Sequence, residues 1–129
     1  MINVTCAIIL KGDKILVTQR SAEMNLPYKW EFPGGKVETD ENEEECILRE
    51  IREEINIEIQ ILERLTPSVY KYPTFTINLI PFVATYLKGE VVLAEHSNFK
   101  WLEKSELMRL DWAPADVPIV EEILKSKHV

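Results

Sequence analysis

The sequence predicts one mixed α/β domain (α+β in order), and three observations carry that prediction. Apolar β-type runs come first, then one amphipathic helical stretch, then more β-type runs and a last helix. That order is unlike a regular βαβ array. A Gly-Asp turn joins the first two apolar runs as in a β-hairpin. The 129 residues, 46% of them hydrophobic, suit a single core and a single domain over 1–129.

Residues 3–10 (NVTCAIIL) are β-branched and apolar, and Lys11-Gly12-Asp13 turns them into residues 14–19 (KILVTQ). Cys6 and Ile8 alternate on the first strand; one face could floor a pocket, and core packing is the simpler assignment. Residues 21–36 read as loop, with a short strand at Trp30-Glu31-Phe32. Over 41–55, Ile47, Leu48, Ile51 and Ile55 recur at helical spacing. Thr39 or Asp40 is the expected N-cap, and acids crowd the first turn. Asn56 stands at the expected C-terminal cap, where asparagine tolerates the left-handed conformation. Residues 57–65 and 75–87 read as strands, with Pro81 marking a bulge or edge. Lys88-Gly89-Glu90 is a turn, 99–102 a short strand and 103–110 a short helix. Pro114 begins the last helix, whose apolar side uses Val117, Val120, Ile123 and Leu124, with Pro118 in its first turns.

Twenty-two acids against 15 Lys and Arg give a formal net charge of -7. Such a chain is repelled by nucleic-acid backbone and by anionic membrane. Small anionic substrates remain open if a metal ion sits between them and the carboxylates. Two cysteines, Cys6 and Cys46, make no disulfide framework and suit a reducing compartment. His96 and His128 do not supply zinc-site spacing. No secretory leader is recognisable at Met1-Ile2-Asn3-Val4, and no apolar run approaches the roughly 20 residues of a membrane span. The expectation is a cytoplasmic protein with no membrane partner and no nucleic-acid polymer, monomer or homodimer.

The chemistry concentrates after Gly34-Gly35. Glu50, Glu53 and Glu54 lie at i, i+3 and i+4, which stacks three carboxylates on one helical face. Like charges so placed repel unless something positive sits among them. Hard divalent cations take oxygen ligands, and Mg²⁺ commonly combines one or two carboxylates with substrate phosphates. A solvated acidic face, neutralised by Arg49 and Arg52, is the other reading. Two glycines before the stretch permit backbone geometry that other residues resist.

The spacing is Gly35, five residues, Glu41, seven residues, Arg49-Glu50, an aliphatic, any residue, Glu53-Glu54, any residue, Asn56, an aliphatic. It resembles the Nudix box, the signature of hydrolases acting on a nucleoside diphosphate linked to another group. One position departs: the family usually has glycine where this chain has Asn56. Trp30-Glu31-Phe32-Pro33-Gly34-Gly35-Lys36-Val37-Glu38 is similar to the MutT-type branch. So are Thr18-Gln19-Arg20 and Ala113-Pro114-Ala115-Asp116-Val117-Pro118, the last nearer the CTP pyrophosphohydrolase members than the oxidised-guanine hydrolases. The resemblance implies the Nudix fold, a mixed, curved sheet between helices.

It also implies roles. Glu50, Glu53 and Glu54 would hold divalent metal, Mg²⁺ with Mn²⁺ as a substitute, and the Gly34 carbonyl would join them. Glu95, six residues before Trp101, matches a further metal-linked glutamate; a plain surface acid is the alternative. Glu50, Glu53 and Glu95 are the catalytic candidates, with Glu53 or Glu95 as general base. Gly35, Glu41 and Arg49 would support the site, Arg49 pairing with Glu41 or Glu53. Glu38 reads as a solvated or loop-bracing residue. Arg20 matches a substrate-binding arginine, or is a strand-end surface residue. Tyr72 and Phe75 could stack on a base; core packing or a loop anchor is the alternative. Asp116 could accept from a base amino group, or cap the last helix. His96 reads as an exposed loop histidine.

The implied reaction is attack of water on a nucleoside triphosphate, giving monophosphate and pyrophosphate, with a cytidine or an oxidised or modified nucleotide favoured. The same box serves ADP-ribose, nucleotide sugars and dinucleoside polyphosphates, and fold likeness does not choose among them. A non-catalytic nucleotide sensor is the remaining class; such domains often lose box glutamates, which are intact here.

Overall fold

The computed structural model describes residues 1–129. The chain runs β1 (Ile2–Lys11), β2 (Lys14–Gln19), β3 (Trp30–Glu31), β4 (Gly34–Lys36), α1 (Glu43–Ile55), β5 (Glu58–Arg64), β6 (Ser68–Lys71), β7 (Thr76–Lys88), β8 (Asn98–Glu103) and α2 (Val117–Lys125). Short 3₁₀ turns at Lys104–Arg109 and Pro114–Asp116 precede α2. All eight strands join one mixed sheet.

β1 and β7 form its centre, parallel from Ile2↔Ile77 to Leu10↔Thr85. The outer edge of each is shared between two partners. β1 pairs with β4 near its start and with β2 at its hairpin end. β2 then leaves β1 to pair with β8 and β3. β7 pairs first with β6, then with β5. Pro81 falls at that change of partner. Its carbonyl accepts from the Leu65 N–H at 2.9 Å, so the N–H it lacks would face the same gap, where the ladder changes hands.

β1 is buried on both faces, and its alternation feeds two cores. Cys6 and Ile8 pack with Phe32, Trp112, Ile119 and Ile123 on the α2 side. Ala7 and Ile9 pack with Ile47, Ile51 and Ile55 on the α1 side. The sheet is thus held between helices, and Cys6 and Ile8 are core.

Several local expectations change. The cap of α1 is Asn42, whose side chain accepts from the Glu45 N–H while Glu45 returns a bond to the Asn42 N–H. Thr39 and Asp40 belong to the preceding turn, with Asp40 at φ 70°. Asn56 closes the helix in the left-handed conformation, φ 66°. Leu48 is exposed and Cys46 is buried in its place, because the buried stripe of α1 begins earlier in the helix. In α2, Val117 is exposed and Ile119 takes the core position. β4 lies within the expected loop 21–36, and β6 fills the gap left between the two later strands. No helix is long and apolar enough to cross a membrane.

Candidate active site

β4 runs between β1 and the Glu50 side chain of α1 with no room for a side chain at Gly34 or Gly35. A Cβ on Gly34 would lie 2.0 Å from the Thr5 carbonyl oxygen, and one on Gly35 would lie 2.2 Å from Glu50 Cδ. Neither glycine has positive φ. Close approach, rather than a left-handed backbone, is therefore what both positions require. The consequence is that Glu50 reaches from α1 onto the strand that also borders the main cavity.

Arg49 organises this corner. Its Nε and Nη2 donate to the two carboxylate oxygens of Glu41 at 3.0 and 2.7 Å. Its Nη1 donates to Glu50 at 2.8 Å and to Glu53 at 3.0 Å, and Nη2 reaches the Lys36 carbonyl at 3.3 Å. Glu41 also accepts from the Glu38 N–H at 2.9 Å. These bonds, chiefly Arg49's, pull its carboxyl down to about 2. Glu41 and Arg49 thereby tie the loop to the helix. Glu38 is mostly exposed and lies 3.9 Å from Arg49.

The three box glutamates share a face without converging on one point. Glu50 is drawn under Gly35, Glu53 stays solvent-exposed beside Arg49, and Glu54 turns toward the loop that carries Glu95 and His96. No three acidic, histidine or cysteine side chains close into a metal cage. Arg49 Nη1 bridges Glu50 and Glu53, while Glu54 has His96 Nδ1 3.9 Å away as its own neighbour. Burial raises the Glu50 carboxyl despite the nearby guanidinium. Burial, then Glu95, raises that of Glu54. Desolvated carboxylates repelling one another are an oxygen donor set that a hard divalent cation would relieve, so the residues present fit such an ion.

The loop 89–97 is pinned from both sides. Val92 and Ala94 donate to the Ile55 and Glu54 carbonyls at 3.1 and 3.0 Å, and Ser97 donates to Gln19 at 3.0 Å. Glu95 lies exposed at the cavity rim. His96, expected to be exposed, is buried at 8%. Its Nε2 is 2.8 Å from one Glu31 oxygen, and its Nδ1 is 3.9 Å from Glu54. The burial has a simple cause: the loop folds back on β3, and Glu31 supplies a partner the local sequence does not.

A cavity of about 470 Å³ opens between these groups. One end is bordered by Gly34, Gly35, Glu54, Glu95 and His96; the other by Arg20, Tyr72, Phe75 and Asp116. Arg20 donates to Glu31 at 2.9 Å and holds the Asn25 carbonyl through Nε. It is a half-buried bridge rather than a free surface cation. Tyr72 and Phe75 flank a tight turn, Tyr72 N–H donating to Phe75 at 2.7 Å. Their rings stack at 5.1 Å and 26°. Both face the cavity instead of the core.

Asp116 arrives from the far end of the chain. Trp30 and Trp112 form a parallel bridge, with Trp30 N–H to Asp111 at 2.8 Å and Ala113 N–H to Trp30 at 2.9 Å. That contact brings the 3₁₀ turn beside Phe32, whose N–H donates to Asp116 Oδ2 at 2.9 Å. Asp116 occupies the N-cap position of α2 but makes no side-chain cap bond, so capping does not explain it. Burial, then Glu31, raises its carboxyl well above the usual range. Met24, Asn25 and Leu26 also border this end, and Glu31 lines the cavity between Arg20 and His96. Sequence reasoning gives them no role, although a lone acid inside the apolar Trp30-Glu31-Phe32 strand is a visible signal.

Residues 1–123 match the NUDIX domain family. The chain is 35% identical over 124 residues to the CTP pyrophosphohydrolase of Escherichia coli, covering 96% of this chain and 92% of that one. It is 29% identical over 113 residues to the 8-oxo-dGTP diphosphatase of the same bacterium, covering 88% of each. Among solved structures, the MutT protein of methicillin-resistant Staphylococcus aureus superposes with a TM-score of 0.77 at 42% identity, over 95% of both chains. The chain belongs to the NUDIX family and is a Nudix hydrolase. Nudix hydrolases generally need a divalent metal ion.

Proposed function

We propose that this Nudix hydrolase cleaves a nucleoside triphosphate to monophosphate and pyrophosphate, acting on a cytidine or an oxidised or otherwise modified nucleotide. The observation that carries the reading is one cavity of about 470 Å³ lined by Gly35, Glu54 and Glu95 at one end and by an aromatic pair, Arg20 and Asp116 at the other, with Glu50 and Glu53 on the same helix as Glu54 but outside the lining. A triphosphate suits that layout once a cation lies between its anionic end and the carboxylates, with its flat end against the aromatic pair. The names of the Escherichia coli relatives agree with a nucleotide of this kind.

In this reading Glu50, Glu53 and Glu54, with the Gly34 carbonyl and Glu95, hold Mg²⁺, which Mn²⁺ can replace. The ion neutralises phosphate charge and lowers the pKa of water. Arg49, Glu41 and Gly35 keep the carboxylates in place. Glu53 or Glu95 takes the proton from the attacking water; Glu53 is exposed beside Arg49 and Glu95 stands at the rim, so solvent reaches both. Glu50, held beneath Gly35, fixes the metal end against β4.

At the other end, Tyr72 and Phe75 stack on the base, and Arg20 adds its guanidinium face or its charge. Asp116 spends Oδ2 on the Phe32 N–H and leaves Oδ1 to the cavity. Ionised, it accepts from an exocyclic amino group; protonated, it also donates. All parts of the site come from residues 1–129 acting as one domain. The net charge of -7 suits a free nucleotide bound through metal rather than a nucleic-acid polymer.

The test is a panel of CTP, dCTP, 5-methyl-dCTP, dGTP, 8-oxo-dGTP, ADP-ribose and a dinucleoside polyphosphate with Mg²⁺, compared by kcat/KM. One triphosphate well above the rest supports the reading and names the base. Turnover confined to ADP-ribose or the dinucleotide overturns it.

A further inference from the structure

His96 borders the metal end of the cavity and Glu31 the nucleotide end, and the two side chains meet between them. Glu31 divides its carboxylate: Oε1 accepts from Arg20 at 2.9 Å, and Oε2 meets His96 Nε2 at 2.8 Å. The opposite ring nitrogen, His96 Nδ1, points at Glu54 Oε2 from 3.9 Å. It is the one buried side-chain nitrogen or oxygen in the chain with no hydrogen-bond partner. A buried polar atom without a partner is unfavourable for the fold itself. A core histidine chosen for packing alone would not be aimed this way.

We propose that His96 is a positioning residue which, with Glu31, couples the metal end of the cavity to the nucleotide end. The inference rests on the site assignment under Proposed function and extends it to two residues that assignment leaves out. The imidazole is the wall against which Glu54 rests. Its bond to Glu31 stops the ring from turning, and Glu31 is itself held by Arg20. A displacement of Arg20 therefore reaches Glu54 through two hydrogen bonds and one buried ring. The backbone supports the same path, because the Ala94 N–H and the Glu54 carbonyl bind the loop before His96 to the end of α1 at 3.0 Å. Residues that orient a metal ligand commonly change metal affinity 10–100-fold when removed.

The experiment measures Mn²⁺ affinity by paramagnetic resonance of the free ion. The proteins are wild type, His96→Ala, Glu31→Gln and the double variant, each checked for folding by circular dichroism. His96→Ala is expected to weaken Mn²⁺ about 10-fold. Glu31→Gln should weaken it severalfold although Glu31 is no metal ligand, and it should add nothing once His96 is gone. Full additivity, or Mn²⁺ affinity unchanged in His96→Ala, overturns the proposal, since charge alone would act in either background. If His96→Ala does not fold, His96→Gln takes its place. Its amide keeps a donor for Glu31, so Mn²⁺ affinity should fall while KM stays; an unchanged Mn²⁺ affinity again overturns the coupling. Failure of wild type itself to bind Mn²⁺ would instead overturn the metal assignment.

Discussion

The carboxyl group of Glu50 lies where a side chain on Gly35 would have to be, 2.2 Å from an ideal Cβ. The neighbouring Gly34 meets a different obstacle, the Thr5 backbone at 2.0 Å. The two glycines should therefore fail differently. In Gly35→Ala the end of a flexible side chain can yield, so the fold survives and Glu50 is displaced. Turnover should fall about 10–100-fold with little change in urea midpoint. In Gly34→Ala β4 must part from β1, at a cost of about 2–4 kcal/mol in urea unfolding. Equal loss of stability in both variants would contradict the close-approach account.

Arg49 spans Glu41, Glu50 and Glu53 with a planar fork that a lysine cannot reproduce. Arg49→Lys keeps the charge and loses the geometry. Divalent-metal affinity and kcat should each fall about 10–100-fold, while KM for the nucleotide moves little. The check is Mn²⁺ titration beside steady-state kinetics. A lysine variant with native metal affinity would reduce Arg49 to a surface cation.

Asp116 predicts a pH-dependent stability. Its folded-state carboxyl is raised, by burial first and Glu31 second, above the unfolded value of about 3.9. Between those values the folded chain holds a proton that the unfolded chain has released, so stability drains away as pH rises through that window. Asp116→Asn removes the titration and keeps an acceptor for the Phe32 N–H. The variant should gain on wild type as pH rises from about 4, by roughly 1.4 kcal/mol for each pH step of about 1 inside the window. Chemical denaturation at pH 5 and pH 8 reads this directly. A difference independent of pH would mean the carboxyl titrates normally. In the nucleotide panel, the same variant should reorder base preference more than it lowers the best kcat.

The fold is legible in the sequence where periodicity is local. Ile47, Ile51 and Ile55 announce α1, and Asn56 announces its end. The box glutamates are legible because a helix places i, i+3 and i+4 together without outside help. Pairings across the chain are what local pattern does not supply. Asp116 finds its acceptor role at Phe32, 84 residues away, and the burial of His96 depends on Glu31, 65 residues away. β4 and β6 are invisible for a related reason. Gly34-Gly35-Lys36 and Ser68–Lys71 carry no apolar pattern, and only their neighbours β1 and β7 make strands of them.

Glu53 bears most directly on the central claim, because it is exposed and little of the fold depends on it. The decisive measurement is product identity in ¹⁸O-labelled water with Mg²⁺, using CTP and 8-oxo-dGTP on wild type and Glu53→Gln. The account predicts nucleoside monophosphate and pyrophosphate from wild type, the label in one of them, and abolition by chelator. Glu53→Gln should be slower by about 10²–10⁴-fold with an unchanged melting profile. Release of nucleoside diphosphate and inorganic phosphate, turnover that survives chelation, or wild-type rates from Glu53→Gln would contradict it.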